Sequence, residues 1–429
     1  MRVWDVVVVG GGAAGLSAAE TLVQAGARVL VLEGRPRLGG RIRTQHPAGW
    51  PLPVELGAEF IHGRDPELFE IAREAGLLVV RVPELHLDAC GGRLSPLPDV
   101  WRRFEAMTRR MRRAGPDRSV AEFLRSHRRI SPLDRRLFSS TVEGYDAAPL
   151  TRVSEHSLST AGEPPSTADD RAQFRIVSGY DGVIRWLWSR LQALRCEIRR
   201  SAVVRSVRWR PGHVDVETAG GERFRGHRAI FTVSAGVLKA APGDRGAIAF
   251  DPDPAPLRRA LSLIEMGDVV RLVLRFGEDF WRDRLPGGSQ AAFFHSSSTP
   301  FPTWWSVAPA EVPMLTAWAG GPRATGLLDS GRARILDAAF ETLGSIFGVG
   351  QRRLRRLLVG AHFHDWRRDP FSRGAYSYLA VGGASAPSRL ARPVEKTLFF
   401  AGEATEAPTS GTVPAAILSG RRAARQALE

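Results

Sequence analysis

Asp5-Val-Val-Val-Val-Gly-Gly-Gly-Ala-Ala-Gly-Leu-Ser-Ala-Ala-Glu20, followed by Arg28-Val-Leu-Val-Leu-Glu33, is the stretch whose reading decides the fold. Val6 to Val9 form a short β-branched run of the kind found in a parallel strand buried on both faces. Gly10, Gly12 and Gly15 follow in G-x-G-x-x-G spacing, and Ala13, Ala14, Leu16, Ala18, Ala19 and Leu22 continue as a helix of small and apolar residues. Gly26 ends that helix, and Arg28 to Glu33 reads as a second strand. Gly10 permits the tight turn, Gly12 lets backbone approach a pyrophosphate, and Gly15 lets helix pack on strand, with the helix N-terminus facing the phosphates. Glu33 ends the second strand, where a carboxylate accepts hydrogen bonds from ribose hydroxyls. A glycine fingerprint alone is weak. Strand, fingerprint, helix, strand and acid in this order specify a dinucleotide-binding unit.

The residues beyond Glu33 narrow the dinucleotide. Gly34 and Arg35 continue from the acid, and Leu38-Gly-Gly-Arg-Ile42 brings Arg41 to glycine backbone close to the cofactor. An arginine suits a diphosphate because it is always charged and offers a planar fork of donors. The chain here resembles the flavin-containing amine oxidases, the family of monoamine oxidases, polyamine oxidases and lysine-specific histone demethylases. The resemblance rests on Gly39-Gly-Arg-Ile42, Glu55-Leu-Gly-Ala-Glu-Phe-Ile-His-Gly63, Thr232-Val-Ser-Ala-Gly-Val-Leu-Lys239, Ser372-Arg-Gly-Ala-Tyr-Ser-Tyr378, Phe399-Phe-Ala-Gly-Glu-Ala-Thr405 and Ser419-Gly-Arg-Arg-Ala-Ala424. These motifs keep the family's order over nearly the whole chain.

The resemblance implies an α/β architecture, with a Rossmann-type FAD-binding domain interleaved with a mixed-sheet and helical substrate domain. Residues 1–76, 180–245 and 367–429 are then the cofactor domain; 77–179 and 246–366 are the substrate domain, with a helical insert near 97–160. The pattern agrees. Trp101, Phe104, Met107 and Met111 fall at helical spacing, and Ser119 with Glu122 is a capping box. Gly162 to Asp170 reads as a loop, 180–239 as alternating strands around Pro211-Gly212 and Gly220-Gly221, and Pro242 to Pro256 as a crossover. Val269 to Phe276 and Leu398 to Ala401 read as strands, and Val413 to Leu428 as a final helix.

By the same resemblance, Glu403, beside Gly402, holds the ribityl hydroxyls of FAD, Val204 contacts the adenine side, and Gly57, Ala58, Glu59 and Phe60 pass the isoalloxazine. Ala13 and Ala14 open the phosphate-facing helix, and Thr232 sits at the return of the chain to the cofactor. Thr412, Val413 and Ala416 begin the last helix, whose N-terminus stabilises negative charge on the flavin. Covalent relatives carry a cysteine where this chain has Ala375, so FAD should be held non-covalently. Tyr378 is one wall of the aromatic cage around the amine, Thr412 takes the place of the other, Trp366 packs near the flavin, and His62 stands at the catalytic tunnel.

Two positions depart from the family's pattern. A lysine that holds a water at flavin N5 is replaced by Arg271, which cannot give up its proton. Pro414-Ala-Ala416 replaces His-Gly-Ala and removes a backbone donor. Both bear on oxygen reactivity more than on FAD binding. The expected reaction moves a hydride from the carbon next to nitrogen of a primary or secondary amine to FAD, with molecular oxygen as acceptor and hydrogen peroxide as product. Alternatives are a desaturase or protoporphyrinogen-type oxidase on an apolar substrate, and a flavin-binding scaffold with little turnover.

Composition sets the outer bounds. The chain has 429 residues, Lys+Arg 60 against Asp+Glu 45, and a net charge of +15, with only Lys239 and Lys396 as lysines. The arginines are spread along the chain rather than gathered in one stripe, which argues for a compositional bias and against a nucleic-acid partner. A hydrophobic content of 43% excludes a disordered chain. Cys90 and Cys196 cannot build a disulfide framework or a cysteine metal cluster. His362, His364 and Asp365 lack a third distant ligand, so no metal is expected. No apolar run is long enough to span a membrane and no secretory pattern precedes Gly10, so no membrane anchor and a cytoplasmic location are expected.

Overall fold

A computed structural model describes residues 2–90, 93–97, 99–160, 172–286, 293–407 and 409–429. The strand Val3–Val9 lies at the centre of the first sheet, parallel to Val29–Leu32 on one side and Arg223–Phe231 on the other. Its alternation divides the core. Val6 and Val8 pack under the helices Ala13–Gln24, Asp181–Ala193 and Val413–Leu428, while Val7 and Val9 pack on the opposite face with Val207, Val216, Phe231 and Phe250. Glu197–Arg199 extends the sheet beyond Val29–Leu32. The meander Val204–Arg210, His213–Thr218 extends it beyond Arg223–Phe231, with Ala249–Asp251 at the edge and Leu398–Phe400 returning to pair with Arg223–Phe231.

The second sheet has seven strands, in the spatial order Leu358–Phe363, Val269–Phe276, Met314–Gly320, Thr303–Ser306, Phe293–His295, His86–Cys90 and Arg93–Pro96. Period-two alternation again sorts the faces. Val270, Leu272, Leu274 and Phe276 pack against the helices Gly321–Ser330 and Arg332–Phe347. The residues between them face the other way, and Val273 packs on Val54 and Leu56. Arg271 therefore points at the Gly57–Glu59 segment of the cofactor domain.

The insert is helical as read, with helices Val100–Thr108, Val120–Ser126, Pro132–Gly144 and Glu155–Ser159. Ser119 and Glu122 form their capping box, and Val413–Leu428 has the bounds expected from sequence. Residues 180–239 depart from the reading of strands throughout. Asp181–Ala193 is a helix, because Val183, Leu187 and Leu191 recur at a spacing of four and bury one stripe against the first helix. Gln173–Ile176 pairs with Phe60–His62 on one side and Val79–Arg81 on the other, and Phe174 and Ile176 join the cofactor-side core. The expected loop at 162–170 lies outside the described residues. Among the described residues no helix is long and apolar enough to cross a membrane.

Candidate active site

The two sheets meet around a cavity of about 670 Å³, continuous from the first glycine loop to the helical insert. The loop is built as its sequence demands. Gly10 has φ of +114°, and a Cβ on Gly15 would lie 1.9 Å from the carbonyl oxygen of Gly10. The first helix starts at Gly12 with no side-chain cap and no acid in its first turn, leaving its amides for an anion. Thr232 donates its hydroxyl to the Val9 and Gly10 carbonyls at 3.1 and 3.0 Å, and so braces the turn. Glu33 accepts from the Gly11 and Arg35 amides, each at 2.7 Å, and is buried on the cavity wall. Ala13, Ala14, Gly34 and Val204 line the same end of the cavity.

The Gly-Gly-Arg segment is held by arginines, but not with Arg41 free beside a diphosphate. Arg41 donates to Glu403 at 2.7 Å and to the Ala375 carbonyl at 3.0 Å. Arg35 is likewise spent on Asp369 and Ser372, at 2.7 and 2.8 Å. Asp369 also receives His364; although burial alone would raise its pKa, these partners hold the carboxyl well below its ordinary range. Arg37, passed over in the sequence, donates to the carbonyls of Gly40 at 2.8 Å and Ile42 at 3.1 Å, and burial lowers its pKa to about 10. Gly39 closes the loop by donating its amide to the Gly11 carbonyl at 2.8 Å, and Gly40 lines the cavity.

Glu403 is the hub of the opposite wall. It accepts from Arg41, from Ser377 at 2.7 Å and from the Gly411 amide at 3.0 Å; burial opposes ionisation, but these donors hold its pKa below the ordinary value. The amide of the adjoining Gly402 is received by Ser419 at 2.8 Å. Thr412 caps the last helix by accepting the Ala415 amide at 3.2 Å, and Val413 and Ala416 border the cavity beside it.

The aromatic wall differs from expectation. Tyr378 is buried among Met107, Phe123 and Phe138 in the core of the insert. Tyr376, two residues earlier on the same strand face, lies where a Cβ on Gly411 would meet its ring at 3.5 Å, and it donates its hydroxyl to the Tyr145 carbonyl at 2.5 Å. Tyr376 therefore stands beside Thr412, because the strand enters the site at its first residue. Trp366 donates to the Leu56 carbonyl at 2.7 Å, and a Cβ on Gly57 would meet its ring at 3.3 Å. His62 lines the cavity with its ring 5.8 Å from that of Tyr145, and the enclosing walls lower its pKa to about 4, so it is neutral at pH 7.

Arg271 is the centre of a buried ionic cluster. Its guanidinium donates to the Gly57 carbonyl at 2.7 Å and pairs with Glu59. Glu59 also accepts from Arg175 at 2.9 Å and from the Trp305 indole at 3.0 Å. Burial alone would raise Glu59, but Arg271 and Arg175 outweigh it and keep the carboxylate charged. Phe60, next in the chain, carries the Arg175 guanidinium over its ring at 5.3 Å. Sequence reading missed Arg175 and Trp305. The available signal was an arginine inside the apolar strand Gln173-Phe-Arg-Ile176, facing away from Phe174 and Ile176.

Glu55, just before this cluster, accepts from the Tyr180 amide at 2.7 Å and Thr44 at 2.8 Å, yet burial raises its pKa to about 7. The folded state therefore keeps a proton that the unfolded chain releases in the ordinary carboxyl range. That contribution to stability is complete below the unfolded pKa and is lost as pH rises through about 7. Glu55→Gln is expected to match wild type at acid pH and to exceed it by roughly 2–4 kcal/mol at pH 8. Urea unfolding at the two pH values measures this, and equal stabilities at pH 8 would contradict it.

The residues fit an anionic dinucleotide carrying a flavin. The glycine turn and uncapped helix offer amides to phosphates, a Cβ on Gly57 would lie 1.8 Å from the Arg41 carbonyl, and Nε of buried Arg271 has no partner. Among the described residues no group of three His, Cys, Asp or Glu side chains could hold a metal ion.

Fold and cavity thus define a two-domain α/β protein with a dinucleotide cradle. The chain belongs to the family described as flavin containing amine oxidoreductase, matched over residues 13–428, and its cofactor is FAD. It is 27% identical to "Probable polyamine oxidase 4" of Arabidopsis thaliana, over 97% of this chain and 85% of that one. It is also 27% identical to "Lysine-specific histone demethylase 1 homolog 2" of Oryza sativa subsp. japonica, over 99% of this chain and 57% of that one. The chain therefore spans little more than half the length of that relative. Among solved structures it resembles a putrescine oxidase described as bound to putrescine (TM-score 0.82, 20% identity, covering 100% of this chain and 99% of that one). It also resembles a cyclohexylamine oxidase from Brevibacterium oxydans (TM-score 0.81, 20% identity, 99% and 98%), a likeness of fold.

Proposed function

We propose that this chain oxidises a primary or secondary amine to an imine, which hydrolyses to an aldehyde, with oxygen as acceptor. The observation that carries the reading is the single cavity joining the dinucleotide cradle to a chamber walled by Phe60, Tyr145, Tyr376 and Trp305, beside a neutral His62. Bound FAD supplies the hydride acceptor and the route to hydrogen peroxide. The chain's residues supply the rest. Aromatic faces receive the alkylamine. Arg271, fixed by Glu59 and the Gly57 carbonyl, presents a permanent positive charge with an unused Nε donor. Retention without a covalent bond is supported by Ala375 at the Tyr376 strand and by the thiol of Cys196, which lies against the Val29 carbonyl in the first sheet. The test is peroxide release from a panel of alkylamines, N-alkylamines and diamines. Release with at least one amine is expected, and none from fully flavin-loaded protein would refute the reading.

Arg271→Lys is expected to keep full FAD content, because the cradle is built elsewhere. A single ammonium cannot reproduce the fork that spans Gly57 and Glu59, so the rate of oxygen consumption should change several-fold. Loss of FAD from this variant would show that the strand is misplaced in the account.

A further inference from the structure

Most acids on the cavity wall are already engaged. Glu33, Glu59 and Glu403 accept the hydrogen bonds described above, and Asp65 caps its helix by accepting the Leu68 amide at 2.9 Å. Asp146 lines the cavity too, but among the described residues it has no ion pair, and its Oδ2 is shut off from water without a hydrogen-bond partner. Asp88, on the same wall, has no such stranded oxygen. Leaving a half-buried carboxylate without a partner costs stability.

The surroundings suit a cation. Asp146 follows Tyr145 and acts electrostatically on both Tyr145 and Tyr376. The Tyr145 ring meets His62 at 5.8 Å and Trp101 at 5.3 Å, so the carboxyl sits in an aromatic chamber whose histidine is neutral. Tyr376 ties this chamber to Gly411 and the start of the last helix. Without a cation, burial raises the pKa of Asp146 to about 7, which leaves the group close to balance between its two forms. A protonated nitrogen would reach the carboxylate from the cavity at Oδ1, the oxygen that is not shut off, through a charge-assisted hydrogen bond, and π-faces would flank it.

We infer that Asp146 is the cation-recognition residue of the cavity: its carboxylate receives a protonated nitrogen of the substrate, between Tyr145 and Tyr376. The inference rests on the amine reading above and makes it more specific. The nitrogen is either a second one in a diamine, which stays protonated, or the one next to the reacting carbon, which passes its proton to the carboxylate before the hydride leaves.

The test uses amines that cannot react because the carbon next to each nitrogen bears no hydrogen. 2,5-Dimethylhexan-2-amine and 2,5-dimethylhexane-2,5-diamine are titrated calorimetrically into the flavin-loaded protein, with flavin content confirming that each variant is folded. Asp146→Asn should weaken binding roughly 10- to 100-fold, the loss of a hydrogen bond to a charged group. Asp146→Glu, which keeps the charge, should recover most of it. Equal losses for the two probes place the nitrogen next to the reacting carbon at Asp146; a loss confined to the diamine places a remote nitrogen there. Unchanged affinity of Asp146→Asn for both probes overturns the inference while leaving amine oxidation standing. Wild-type protein that binds neither probe, and releases no peroxide with any amine, overturns both.

Discussion

Glu59→Gln is expected to destabilise the protein by about 3–5 kcal/mol, the cost of breaking a buried ion pair and stranding its partner. The carboxylate is buried, accepts from Arg271, Arg175 and Trp305, and is the shared anion of two buried guanidiniums. Glutamine keeps the shape and one acceptor but leaves both cations unneutralised. Neither can discharge by losing a proton. Urea unfolding at pH 7 measures the loss. Removing one of the stranded charges should relieve part of it, so Glu59→Gln combined with Arg175→Met should be more stable than Glu59→Gln alone. A single variant within about 1 kcal/mol of wild type would mean that the cluster is solvated or differently paired.

Gly15→Ala is expected to yield a protein that purifies without flavin. The added Cβ would lie 1.9 Å from the Gly10 carbonyl and 2.8 Å from the Thr232 hydroxyl. The first obstacle is backbone, so helix and strand must separate. The turn that offers amides to the pyrophosphate opens with them. Affinity for FAD should fall by at least about a hundredfold, the scale of losing two charge-assisted bonds. Gly326→Ala is the matched control: its Cβ meets nothing within 4 Å, and it lies within the helix Gly321–Ser330. That change should leave flavin content intact and stabilise by about 0.5–1 kcal/mol. A yellow Gly15→Ala protein would contradict the account of the turn.

Much of the fold was legible because local and global demands coincide. The run Val6 to Val9 is apolar on both faces since helices cover one and the meander strands the other. The final helix announced itself through Thr412, Pro414 and its small-residue stripe. Asp181–Ala193 was misread because Ile184-Arg-Trp-Leu-Trp188 mimics a strand's alternation over a short window, and only the longer spacing of Val183, Leu187 and Leu191 reveals the helix. The site was legible where a glycine or a motif fixes backbone, at Gly10, Gly15, Gly57, Glu33 and Glu403. It was not legible where tertiary contact selects among equivalent residues. Tyr376 and Tyr378 share one strand face, and nothing local says which meets Gly411. Arg175 and Asp146 carry no motif, and their meaning comes from what the fold places beside them.

Anaerobic titration of the purified protein with an amine tests the central claim most directly. The long-wavelength flavin band should bleach stoichiometrically with added amine and return when oxygen is admitted, with one peroxide released per flavin. A flavin band that dithionite bleaches but no amine in the panel alters would contradict the account, as would a protein that holds no flavin at all.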